Sequence, residues 1–407
     1  MAFSVQVKRL LLILVPLLLA AGCAGPSVKG PSPANTAAAS AQVDADQTPP
    51  ALRSEYMDLL TSGEVDYVAL AMKLGLDAAR MGQNAFAAKV FDQAIQRVEA
   101  LQAGSAQADR AQSNFVAEQE KWFKGEAYER AALYLYRGLL YLQAGDYGNA
   151  AACAKRVQIE DISTHEEDQG DWYSAEWLLA YASLMQNDPG TAHDALARAA
   201  NFFSKQGVVP PPDPKWNLFI IAESGSGPIK VRRGQYGEEL YIEEGANRTM
   251  RIAVSASTVP GPPQQTFAAE NIYFQASTRG DRKVDHILAG KAVFKTATDI
   301  AGDAAIVGGA GTLATSHSQT QSLVGLGLVV GGLVTKAVSG AAKPEADIRA
   351  WDNLPHSIYF TGLQCPPGVS KIKIDALDDA GAVISSAGSD VTIVDKAAPV
   401  FLWLRFP

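Results

Sequence analysis

Few side chains in this sequence are spaced for chemistry. GAGTLA, Gly309–Ala314, fits G-x-G-x-x-A, a turn in which glycines let backbone amides approach a pyrophosphate. Such a site needs a strand before it and an acid about 20 residues further on. A helical pattern precedes this run, and Val329 and Val330 stand where the acid would be, so it reads as a flexible link between helices. THEED, Thr164–Asp168, gathers one histidine and three acids, a set able to hold a hard cation or zinc. No second histidine stands at a ligand spacing and H-E-x-x-H does not occur, so the run reads as a solvated acidic loop. ESGSGP, Glu223–Pro228, lacks the G-x-S-x-G order, and Ser224 and Ser226 gain no nucleophilic role from it. Cys153 lies among small helical residues, and Cys365 precedes Pro-Pro-Gly with no activating His or Asp near it. The two read as free thiols rather than a bridge. No catalytic residue, metal or cofactor is expected, and the reading is non-enzymatic.

One cysteine stands in a reactive context. The N-terminus has a basic pair, Lys8 and Arg9, an apolar run from Leu10 to Leu19 and then small residues. That is the pattern of a cleaved secretory signal, residues 1–22. LAAGC resembles the lipobox of bacterial lipoproteins, with Ala20 where leucine is commonest. The resemblance implies that Cys23 becomes the first mature residue and carries diacylglycerol and an N-acyl chain, palmitate among them. Each buried methylene contributes about 0.8 kcal/mol, so several chains on one residue anchor firmly. Ala24 rather than Asp implies outer-membrane sorting, with the chain facing the periplasm. Formal net charge is -8, and loss of the signal makes the mature chain more acidic. That argues against nucleic-acid binding.

The elements behind these residues are legible. Residues 23–52, rich in Pro, Ser, Ala and Gly, read as a flexible tether. Residues 53–206 read as helical. Three segments repeat one pattern of small residues around a turn: Gly75 and Ala78 before Gly82, Gly138 before Gly145, Ala180 and Ser183 before Asn187. Small residues let paired helices approach closely. The pattern resembles the tetratricopeptide repeat (TPR). An ideal array would repeat every ~34 residues, so an extra helix is expected over 105–125. GVVPPPDP, Gly207–Pro214, marks a boundary. Residues 215–407 then read as short strands: WNLFIIAE, IKVRR, ELYIE and TMRIAVS, and later SIYFTGL, KIKIDAL, AVISS, VTIVD and VFLWLRF. One β-sandwich built from both halves is expected. A helical hairpin at about 282–340 is inserted between them. The fold class is α+β multidomain.

Three motifs carry a wider resemblance: KGEAYERAALYLYRGLLYLQAGDYGNA (Lys124–Ala150), ESGSGPIKV (Glu223–Val231) and ADIRAWDNLPHSI (Ala346–Ile358). Their order, and the glycine-rich segment before the last, resemble a family of bacterial TPR-containing lipoproteins of unassigned function. The resemblance covers about 115–407 and implies architecture and compartment rather than an activity.

The hairpin holds LVGLGLVVGGLV, Leu323–Val334. A spanning helix needs ~20 apolar residues, so a conventional span is not expected. Gly327 and Gly331 share a helix face, and with Gly325 and Gly332 they allow close packing. Three readings stay open, the first preferred: packing on the hairpin partner or the helical array, packing on copies of itself, or dipping into the bilayer. TPR arrays bind peptides in the groove lined by the first helix of each pair. Tyr134, Arg137, Tyr141, Trp177 and Tyr181 are the candidate partner-binding residues, most of them expected in the core. The functional expectation is an outer-membrane lipoprotein adaptor that binds an envelope protein in cell-envelope assembly or maintenance. The alternative is a structural subunit of an oligomeric envelope or secretion assembly, self-associating through the glycine-rich hairpin.

Overall fold

The computed structural model describes residues 32–112, 121–161, 171–202, 209–278, 345–394 and 399–407. The signal and Cys23, THEED, GAGTLA and the hairpin with Gly325, Gly327, Gly331 and Gly332 lie outside the described residues. The described part is a mixed α+β protein, with two compact units, Met1–Gln47 and Thr48–Pro407.

The first unit contributes helix α1 (Pro33–Ala45), inside the stretch expected to be a featureless tether. Ser32 caps it by accepting from the Asn35 N–H at 3.2 Å, and Pro33 takes the first helical position. Alanine, which gives the segment a linker-like composition, is also the best helix former.

The second unit opens with α2 (Arg53–Thr61). Three helix pairs follow: α3 (Tyr67–Arg80) with α4 (Asn84–Gln112), α5 (Ala127–Gln143) with α6 (Tyr147–Glu160), and α7 (Tyr173–Met185) with α8 (Pro189–Phe202). Each pair closes on one left-handed residue, Gly82, Gly145 or Asn187. The hydrogen bond across the turn is the same each time: Gln83 N–H to Ala78 O, Asp146 N–H to Tyr141 O and Asp188 N–H to Ser183 O, at 2.8, 2.9 and 2.9 Å. This is the Schellman closure. Asp146 and Asp188 then cap the next helices through the N–H groups of Asn149 and Thr191. Gly75 explains one close approach, since a Cβ there would stand 2.5 Å from the Phe91 ring. The first part of the extra helix expected over 105–125 is the end of α4, which runs on to Gln112; residues 121–125 are not helical, and 113–120 lie outside the described residues.

Ten strands follow among the described residues: β1 (Leu218–Ser224), β2 (Ile229–Arg233), β3 (Glu239–Glu243), β4 (Arg251–Ala256), β5 (Gln264–Phe267), β6 (Glu270–Asn271), β7 (Ser357–Leu363), β8 (Gly368–Leu377), β9 (Val383–Ile393) and β10 (Val400–Phe406). A short helix, α9 (Ile272–Ser277), follows β6. AVISS and VTIVD, read as two strands, are the ends of the single strand β9. One sheet has the order β10-β1-β7-β6, a second β5-β4-β8-β9, and β2-β3 form a separate hairpin. β1 runs parallel to β10 and antiparallel to β7.

Both four-stranded sheets contribute to one apolar cluster, with Leu218, Ile220 and Tyr359 from the first and Ile252, Val254, Ile372 and Ile374 from the second. The alternate residues of the first sheet, Phe219 and Phe360, meet aromatic side chains of α7. The first sheet is therefore a middle layer, with helices on one face and the second sheet on the other. Every residue of β1 and β7 is buried. That is why both carry apolar residues in succession, Leu218–Ala222 and Ile358–Phe360, while β8 alternates.

Candidate functional site at the helix–sheet interface

The face of the array lined by α3, α5 and α7 is where a peptide groove was expected. The chain's own β-layer covers it. Trp177 of α7 has no exposed surface and lies 5.1 Å from Phe360, 5.6 Å from Phe219 and 6.1 Å from Trp216, ring centre to ring centre. Its indole N–H donates to Pro210 O at 2.9 Å, within the proline run. Tyr181, also without exposed surface, packs 5.2 Å from Phe219. The partner-binding role expected of Trp177 and Tyr181 is thus corrected: both are bound internally, because a twice-covered sheet needs aromatic surface to pack against. On α5, Tyr136 lies between Trp351 and Trp403, at 5.7 and 5.8 Å.

Two buried ion pairs fix this contact. Glu129 on α5 accepts from Lys230 Nζ on β2 at 2.7 Å, and both side chains are almost wholly buried. Glu129 also accepts from the Glu126 N–H at 2.7 Å, closing a capping box at the start of α5, and from the Trp351 N–H at 2.8 Å. Lys230 gives a further hydrogen bond to Arg349 O at 2.9 Å. In the second pair, Glu223 at the end of β1 accepts from Arg80 of α3 at 2.6 Å and from the Tyr136 hydroxyl at 2.8 Å. Burial, with the Glu223 carboxylate beside it, pushes the Tyr136 phenol well above its usual range. Arg80 also reaches Asn353 O at 2.9 Å.

The stretch 345–354, which is neither helix nor strand, works as a strap across the helices. Arg349 donates to Asp66 at 3.0 Å and to the carbonyls of Val65 and Lys121, both at 2.9 Å. Asp352 meets Lys73 at 3.0 Å, and the Asn353 amide donates to Lys73 O. The structure thus brings the three sequence motifs together: Glu129 and Tyr136 from the first, Glu223 and Lys230 from the second, Arg349, Trp351 and Asn353 from the third. Sequence reasoning did not single out these charges. A signal was present in IKVRR, where strand alternation can put either Ile229 or Lys230 inside. The lysine is the buried one, and Ile229 is half exposed.

Tyr134, Arg137 and Tyr141 lie elsewhere, on the seam of α5 with α4 and α6. Arg137 holds Asp92 of α4 with two bonds of 2.7 and 3.1 Å and stacks 3.6 Å over the Tyr141 ring. The Tyr134 hydroxyl donates to Glu99 of α4 at 3.0 Å. Tyr134 and Arg137 are buried and Tyr141 half-buried. They bind one hairpin to the next.

Other constellations are structural in the same way. His356 lies 3.0 Å from Glu244 through Nε2 and 2.9 Å from the Ser357 hydroxyl through Nδ1. The order acid, histidine, serine invites a nucleophile, yet Ser357 is buried within the paired β1, β7 and β6 strands. The chain Glu244–His356–Ser357 ties a loop to the sheet. Cys153 and Cys365 are free thiols, and burial pushes Cys153 up to about 12. Among the described residues there is no cluster of three or more metal-ligating side chains, and no helix is long and apolar enough to cross a membrane. No family model, curated protein or solved structure matches the chain.

Proposed function

We propose that this chain is a lipid-anchored interaction scaffold rather than an enzyme. Acylated at Cys23 and held in the outer membrane facing the periplasm, it presents a TPR-like array to an envelope protein, and the β-layer fixes the orientation of that array. Tethering raises the effective concentration of the two partners at the membrane surface. The repeat assignment is supported by the common Schellman turns at Gly82, Gly145 and Asn187 and by the close approach at Gly75.

One observation carries the reading. The first helices are covered on both sides, whereas the second helices bury only one stripe. In α7, residues Tyr173 to Ser183 are all buried, while α6 buries Ala150, Ala154, Val157 and Glu160 alone. The outer face of α6 carries Ala152, Lys155 and Ile159, exposed and three or four residues apart. Ile159 is 52% exposed. A partner meets this outer face, not the filled groove.

The test is photo-crosslinking in cells from Lys155 and Ile159, with Tyr141 as a seam control. The expected result is one envelope protein captured from α6, lost on Ile159→Glu, with Cys23→Ala releasing the chain from the membrane fraction. Self-crosslinks alone would favour the oligomeric assembly, and no product from α6 would remove the scaffold reading.

A further inference from the structure

Three glutamates are buried where helices meet strands: Glu129, Glu223 and Glu270. Glu129 and Glu223 each face a cation, Lys230 and Arg80, at 2.7 and 2.6 Å. Glu270, on β6, faces none among the described residues. Its Oε2 accepts from the Ser174 N–H at 3.2 Å and lies 2.8 Å from the Ser174 hydroxyl. Its Oε1 accepts from the Gln275 amide at 2.9 Å and from its own neighbour, the Asn271 N–H, at 3.3 Å. Ser174 belongs to the first turn of α7, so this carboxyl joins the start of a helix in the array to the β6–α9 segment.

The charges on the surrounding elements are engaged with other groups. On α5, Glu129 pairs with Lys230, Arg130 with Glu160 and Arg137 with Asp92. On α7, Glu176 pairs with Arg198. Before β7, His356 faces Glu244, and Tyr273 of α9 lies against the His356 ring. On β3, Glu243 pairs with Arg233, and Glu239 is exposed. Among the described residues, Asp171, just before α7, is a charge whose field reaches Glu270, and it repels a carboxylate.

We propose that Glu270 is a proton-operated clasp: with its proton it holds the start of α7 to the β6–α9 segment, and on losing that proton to solvent it loosens the contact. The site can satisfy the neutral acid. A protonated Oε2 donates to the Ser174 hydroxyl, which is able to accept as well as donate, while the Gln275 amide still donates to Oε1. The ionised acid keeps its donors but has no counter-charge among the described residues, in a site closed to solvent. Burial pushes the Glu270 carboxyl up to about 8, with Asp171 adding to the rise against the opposing hydrogen bonds of Gln275 and Ser174. The folded chain therefore holds this proton more tightly than the unfolded chain does. The stabilisation is fully present below the ordinary glutamate range and is lost as pH rises through about 8.

The experiment uses the full chain with carbon-13 in the glutamate side-chain carboxyls, titrated by NMR. Hydrogen-exchange protection in α7 and α9, corrected for intrinsic exchange, is followed over the same range. The expected result is one carboxyl titrating near or above neutrality and missing in Glu270→Gln. Protection at the start of α7 should fall by up to about tenfold per pH unit within the window and should show no such trend in Glu270→Gln. The same trend in both proteins would overturn the proposal. If Glu270→Gln fails to fold, the wild-type titration decides alone: every glutamate titrating in the ordinary range would overturn it.

Discussion

Two ends of one interface hold their buried acids differently. At the start of α5, Glu129 is held by the Lys230 ammonium and by two backbone amides. At the start of α7, Glu270 is held by a hydroxyl, an amide side chain and backbone N–H groups, with no cation among the described residues. Both acids sit near a helix N-terminus, where the dipole favours negative charge. The difference lies in what happens when solvent is excluded. A paired charge has its counter-charge in direct contact, so the α3–α5 end is a fixed joint. An unpaired acid can answer to protons, so the α7 end is a conditional one. The array is then held rigidly at one end and adjustably at the other.

The largest expected effect comes from breaking the fixed joint. Glu129→Ala leaves Lys230 buried without its counter-charge, and removal of one partner from a buried pair typically costs about 3–5 kcal/mol. The same substitution opens the capping box and frees the Trp351 N–H, so the upper part of that range is expected. Denaturant unfolding checks it. The double change Glu129→Gln with Lys230→Met should cost far less than the sum of the two single changes, because the orphaned charge is gone. Additive losses would mean that the pair is not coupled, and the contrast with Glu270 would collapse.

Ser174→Ala probes the conditional joint. It removes one hydroxyl from Glu270, and loss of a partner to a buried polar group costs about 1–3 kcal/mol. The hydroxyl lowers the Glu270 pKa, so its removal should raise the pKa further. The cost of Ser174→Ala is accordingly larger at alkaline pH, where the acid must ionise, than at mildly acidic pH. Stability curves at two pH values separate this from simple loss of packing. An equal cost at both would show that Glu270 does not change charge in the window.

Much of this architecture was legible in the sequence. β2, β3, β7 and β10 coincide with the strands read from IKVRR, ELYIE, SIYFTGL and VFLWLRF, because β-rich runs bounded by turn residues admit few alternatives. The turns at Gly82, Gly145 and Asn187 were visible because left-handed positions select glycine and asparagine. The short strand β6 and helix α9 were not visible: two and six residues carry no periodicity. Helix α1 was missed because alanine serves both linkers and helices. The interface was the hardest to read. Trp177 and Tyr181 look the same in sequence whether they face a partner peptide or the chain's own β-sheet. Nothing local to Glu129, Glu223 or Glu270 says which acid will meet a cation, since the pairs span up to 143 residues.

The smallest expected effect calibrates the rest. Arg97 meets Glu64 at 3.1 Å and stacks 3.4 Å over the Tyr67 ring, with side chains 34% and 48% exposed for the ion pair. Water already solvates both charges, so Arg97→Gln should cost less than about 1 kcal/mol. Its cost should also shrink as salt is added, since solvent-exposed pairs are screened and the screening length falls to about 3 Å at 1 M salt. The Glu129→Ala cost should be nearly independent of salt, because no ions reach that pair. Unfolding both variants at low and high salt gives the comparison. If Arg97→Gln cost as much as Glu129→Ala, burial would not be what distinguishes these pairs, and the reasoning that leaves Glu270 dependent on a proton would lose its physical basis.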